Sequence, residues 1–213
     1  MTVLITGFDP FGGESINPSW LTVHQLSGQR ILGHEIVGAC LPTAFDASLA
    51  QLAGLIEQHR PDLVIALGQA GGRSGISLER IAINIDDARI PDNYGAQPID
   101  QPVIDGAPAA YFSSLPIKAM LKQLHAADLP AEVSNTAGTY VCNHVFYGLM
   151  HLCQFYPNMR AGFIHIPYVL EQAIAHPGAP SMALNDIVRA LAIIVRCAIE
   201  CETDIVFGSG TEC

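Results

Sequence analysis

Short β-branched runs alternate with helix-forming stretches along the whole chain of 213 residues, and this rhythm restricts the fold more than any motif does. Val3 to Thr6, Glu35 to Cys40, Leu63 to Leu67, Ala131 to Ser134 and Gly162 to Ile166 read as strands. Between them, Pro18 to Leu26, Ala47 to His59, Pro116 to Ala126, Val141 to Phe155 and Ser181 to Glu200 read as helices. Strands separated by helices pair in parallel and bury both faces. The expected fold is therefore α/β: one α/β/α sandwich with a twisted, mostly parallel, mixed central sheet, with residues 1–213 forming a single domain. Gly- and Pro-rich interruptions fall at Gly7 to Pro18, Gly68 to Gly75, Pro91 to Pro108 and Pro167 to Pro180. Three of them follow strands directly, which puts a ligand site beyond the carboxyl ends of the sheet.

Composition narrows the function classes. With a net charge of −10 and no cluster of Lys and Arg, neither nucleic acid nor an anionic membrane surface is an expected partner. Only 14% of the residues are charged while 50% are hydrophobic, so apolar surface is left over and a homo-oligomer is expected to cover it. The N-terminus runs straight into a strand-like segment without a basic, apolar leader, and the six cysteines form no CxxC pair. Reduced thiols in a cytoplasm are the expectation.

Cys142 carries the chemistry. Ser134 to Asn143 delivers it through a glycine turn to the start of a helix, where backbone N–H groups and the helix dipole favour a thiolate. The competing reading is a small buried hydrophobe. A nucleophilic thiol needs a base, and eight histidines are available. His144 lies about 200° around the helix from Cys142 and points elsewhere. His24, His59, His125 and His151 fall within or near the ends of helices. His165 differs, because an apolar strand closed by Pro167 carries it to the carboxyl edge of the sheet. Such a histidine is either a hydrogen-bonded core residue or a base.

Glu79 is the candidate to orient it. Alternation through Ser77 to Ile85 puts the carboxylate on the same face as Ile81, Ile83 and Ile85, where a charge wants a partner. The alternative is a hydrated strand start or a surface ion pair with Arg73 or Arg80. The loop Gly68 to Arg73 lacks the spacing of a dinucleotide fingerprint or a P-loop, and no metal-ligand motif is present, so neither a cofactor nor a metal is expected. Phe8 and Phe11, set among turn-forming residues, either pack on the domain or wall a pocket for a small flat group.

Six segments together resemble the pyroglutamyl peptidase I, or pyrrolidone-carboxyl peptidase, family of cysteine peptidases. They are Thr6 to Gly13 with Asn17 to Trp20, Gly68 to Arg73, Ser77 to Asn84, Ala88 to Asn93, Ser134 to Asn143 and Gly162 to Pro167. By this resemblance Cys142 is the nucleophile, His165 the general base and acid, and Glu79 the group that orients the imidazole. The resemblance also implies Arg89 as an oxyanion donor beside the Cys142 N–H, and a pyrrolidone pocket from Phe8, Phe11, Asn17, Gln69, Ile90, Tyr140 and Val141. The implied substrate is a peptide with an N-terminal pyroglutamate, and the implied assembly a tetramer. Two other readings stay open: a phosphorylase-like α/β transferase that uses the glycine loops, and a non-catalytic pyroglutamate-binding protein. The roles of Cys197, Cys201 and Cys213 are open.

Overall fold

The computed structural model describes residues 2–210, and Cys213 lies outside the described residues. Its elements begin with β1 (Thr2–Phe8), α1 (Pro18–Leu26), β2 (Arg30–Ile31), β3 (His34–Leu41), α2 (Ala47–His59) and β4 (Leu63–Gln69). The middle third supplies β5 (Ile76–Glu79), β6 (Ile81–Ile83), β7 (Ala110–Phe112), α3 (Ile117–Ala126) and β8 (Ala131–Ser134). The last third holds α4 (Val141–Leu152), a 3-10 turn (Cys153–Phe155), β9 (Arg160–Ile166), β10 (Tyr168–Val169), α5 (Leu170–Ala173), β11 (Ser181–Met182) and α6 (Leu184–Glu200).

Seven strands form one sheet in the order β2-β3-β1-β4-β9-β5-β8. β3, β1, β4 and β9 run parallel, while β5 lies antiparallel to β9 and pairs in parallel with β8. The expected mostly parallel, mixed sheet is present.

Period-two alternation sorts each strand between two cores. Val3, Ile5, Leu63, Ile65, Leu67, Ile76, Leu78, Ile164 and Ile166 join the core under α1, α3 and α6. Leu4, Phe8, Val64, Ala66, Ala161 and Phe163 face α2 and α4. By the same parity Gly68, Glu79 and His165 belong to the α4 face.

α4 is buried on almost every side, from Val141 through Met150, and so is a core helix without the polar stripe of a surface helix. Gly148 lets it approach α2, since a Cβ there would stand 2.4 Å from Leu49 Cδ1. Asn143 bonds it to β6: its Oδ1 accepts from Ile83 N, and its Nδ2 donates to the carbonyls of Ile83 and Ile85.

Two expectations are corrected. Ser77 to Ile85 is not one strand, because the chain leaves the main sheet at Arg80 and β6 pairs with β7 instead. Ala82 is then the buried residue while Ile81, Ile83 and Ile85 are half-buried, since packing on α4 resets which side faces inward. The last helix starts at Leu184 rather than Ser181, because Ser181 and Met182 pair with Tyr168 and Val169.

Candidate active site

The approach to α4 is built for a sharp entry. Gly138 turns the chain at φ 77°, and Tyr140 precedes Val141 in an extended conformation with no side-chain cap. Cys142 therefore sits in the first helical turn, where N–H groups have no intrahelical acceptor. Its thiol lies against the backbone of β4, and a Cβ at Gly68 would come within 2.7 Å of Sγ. Gly68 in turn pairs with His165 across the parallel β4–β9 ladder. The thiol, Gly68 and His165 thus meet on one face of the sheet.

His165 is 4% exposed, its ring 4.9 Å from that of Phe163. Its Nδ1 stands 2.7 Å from Glu79 Oε1. A carboxylate only accepts, so Nδ1 carries the hydrogen and Nε2 is left as the basic nitrogen. Glu79 reaches it from the antiparallel strand β5, diagonal to His165, because Ser77 occupies the directly opposed position.

Glu79 is fully buried, which excludes the hydrated strand start. Its Oε1 also accepts from Arg73 NH1 at 2.6 Å, while Arg73 NH2 donates to the carbonyl of Thr136 at 3.0 Å. This arginine, known from the sequence only as a surface partner, ties the buried carboxylate to the loop that leads into α4.

Burial sets the charge states. It holds the His165 pKa below the ordinary histidine value, against the Glu79 hydrogen bond, which pulls upward. The Cys142 thiol keeps a partly exposed side chain, yet protein atoms crowd it, and burial together with the Glu79 charge pushes it up to about 12. The expected thiolate at the helix start is therefore corrected. With the thiol pushed up and the imidazole held down, the resting pair is a neutral thiol beside a neutral imidazole.

A cavity of about 450 Å³ opens beside the start of α4, lined by Phe11, Asp87, Arg89, Ile90, Gly138, Thr139 and Tyr140. The aromatic wall is Phe11 against Tyr140, with ring centroids 6.2 Å apart. Arg89 and Ile90 are exposed at its lining. Phe8 is a different kind of residue: 2% exposed and packed on Phe163, it supports the site from beneath, as the buried Val141 does. Asn17 caps α1, accepting from the Ser19 amide and hydroxyl and donating to Asp9 O, so it holds the loop that carries Phe11.

Asp9 fastens the same loop to its neighbours through Thr43 N and Asn93 Nδ2. Gln69 is buried, and its Oε1 accepts from Gln172 Nε2 at 2.9 Å. Gln172, in the short helix α5, also donates to Glu14 and to Ile16 O, and no sequence signal marked it. His144 turns away from Cys142 as expected and bonds Asp86 at 2.8 Å. Among the described residues, no group of three or more His, Cys, Asp or Glu side chains is placed to hold a metal ion.

The model of the pyroglutamyl peptidase family matches residues 1–201. The chain belongs to that family. Similar curated members include the pyrrolidone-carboxylate peptidases of Erwinia tasmaniensis, 57% identical over 98% of this chain and 97% of its own length, and of Yersinia pseudotuberculosis, 56% identical over 95% of each. Among solved structures, pyroglutamyl peptidase I from Bacillus amyloliquefaciens superposes with a TM-score of 0.95 at 50% identity, covering 97% of this chain and 99% of its own. A variant pyrrolidone carboxyl peptidase from Pyrococcus furiosus gives 0.91 at 45% identity, covering 94% and 99%. Membership in the pyroglutamyl peptidase family removes the phosphorylase-like reading.

Proposed function

We propose that this family member hydrolyses the bond after an N-terminal pyroglutamyl residue in peptides and pyroglutamyl amides, with Cys142 as nucleophile, His165 as general base and acid, and Glu79 orienting the imidazole. The observation that carries the assignment is the Glu79 hydrogen bond to His165 Nδ1, on the sheet face where the Cys142 thiol rests over Gly68. Because the thiol is neutral at rest, His165 Nε2 takes its proton as Sγ attacks the carbonyl carbon. The Cys142 backbone N–H and Arg89 stabilise the oxyanion. The imidazolium then gives the proton to the leaving amine, and water, deprotonated by His165, opens the thioester to release pyroglutamate.

Pyroglutamate is a flat lactam with no charged amine. Phe11 and Tyr140 suit its ring faces, with Ile90 at the mouth and Phe8, Asn17 and Val141 supporting the walls. Gln172 occupies Gln69 Oε1, which leaves the Gln69 amide hydrogens to donate to the ring carbonyl. Proline lacks that carbonyl and strands the donor, so it is rejected. The reading extends to residues 1–213 as one catalytic domain in a reducing cytoplasm. It also takes the protein to work as a homo-oligomer, a tetramer by family resemblance.

Steady-state kinetics of three variants test the roles. Cys142→Ser and His165→Ala should each lose about a thousandfold or more in kcat, while Glu79→Gln should retain measurable turnover. An active Cys142→Ser, with Glu79→Gln dead, would contradict the assignment.

A further inference from the structure

We propose that Arg73 is a positioning residue of this peptidase: it fixes the Glu79 carboxylate and the loop entering α4 to each other, and so keeps His165 available as an acceptor for the thiol proton. The inference rests on the peptidase reading above.

The geometry is specific. One Glu79 oxygen, Oε1, takes both His165 Nδ1 at 2.7 Å and Arg73 NH1 at 2.6 Å, while Oε2 is buried without a partner. A carboxylate with no exposure and a neutral imidazole beside it still has its own charge to balance. The guanidinium supplies that balance. The charged groups acting on His165 are Glu79 from β5 and Arg73 from the loop after β4, and the same two act on the Cys142 thiol of α4.

Without Arg73, the carboxylate would draw its compensating charge from the nearest titratable neighbour by protonating His165. An imidazolium cannot accept the thiol proton. The second arm acts on position, because NH2 holds the carbonyl of Thr136, six residues before Cys142. Lysine could keep the charge but not the fork that joins Oε1 to Thr136 O.

The sign follows directly. The Arg73 charge lowers the His165 pKa, so its removal raises that value and moves the acid limb of kcat/KM upward. Arg73 is the weakest of the influences on His165 and is partly exposed, so the shift is upward and modest.

The experiment is the pH dependence of kcat/KM for a pyroglutamyl amide with wild type, Arg73→Met and Arg73→Lys. Arg73→Met should move the acid limb to higher pH. Arg73→Lys should keep the limb near wild type while kcat falls severalfold. If wild type cleaves and Arg73→Met leaves the limb in place, with only the amplitude or thermal stability changed, Arg73 is merely structural and the inference is overturned. If wild type does not cleave, the peptidase reading fails first. Should Arg73→Met not fold by circular dichroism, Arg73→Gln, which can still donate to Thr136 O, carries the same test.

Discussion

A side chain at position 68 would collide with the Cys142 thiol and the Phe163 ring, at 2.7 and 2.8 Å from its Cβ. Phe163 is fully buried while the Cys142 side chain is partly exposed, so the thiol is the neighbour that gives way and Gly68→Ala should displace Sγ. A misplacement of about 1 Å is worth roughly a hundredfold in rate. The expected result is a kcat lower by about that factor with a much smaller change in melting temperature, read by kinetics and calorimetry together. Burial predicts the pH behaviour of the same cluster. Since the His165 pKa lies below the ordinary histidine value, the base form persists as pH falls, and the acid limb of kcat/KM should lie below about 6.5. A limb above that value would mean that the Glu79 hydrogen bond outweighs desolvation. Cys142, His165 and Glu79 could be nominated from a glycine turn and local strand patterns, while their roles came from the family resemblance. Gln172 could not be, since its bond to Gln69 spans 103 positions, and the state of the Cys142 thiol was misjudged because burial is a property of the folded surroundings.

At the level of elements, α4 binds the site to the hairpin of β6 and β7. Asn143 is fully buried and makes three hydrogen bonds to the β6 segment, all from one side chain. Asn143→Ala would leave Ile83 N and the Ile85 carbonyl unsatisfied, while the Ile83 carbonyl keeps the Ile85 amide. A destabilisation of about 3 kcal/mol is expected, seen as a lower urea midpoint with an unchanged m value. A loss below about 1 kcal/mol would mean that water replaces the amide. The helix itself was readable from its apolar run, but its burial on every side was not, because the hairpin that covers it arises from a strand break at Arg80. That break leaves no composition signal. Alternation continues through Ser77 to Ile85, and only the pairing partner changes, from β9 and β8 to β7.

Over the whole molecule, one sheet separates two cores, and Cys142, His165 and Glu79 lie on the α4 side of it. Four loops converge there: Asn93 bonds Pro10 O and Asp9, Tyr140 bonds Pro91 O, and Thr43 bonds Asp9. The alternation of strands and helices showed the layers and most of the sheet, but not the antiparallel entry of β5, through which Glu79 meets His165. The mechanism uses a thiol and an imidazole alone, so treatment with EDTA should leave activity unchanged; loss restored by a divalent metal would require a different chemistry. The most direct test of the account is release of a chromophoric amine from a pyroglutamyl amide, with the prolyl amide as control, before and after iodoacetamide. Cleavage of the pyroglutamyl compound alone, abolished as Cys142 is alkylated, is the predicted result. Folded, reduced protein that cleaves neither compound, or that cleaves equally well after Cys142 is alkylated, would contradict it.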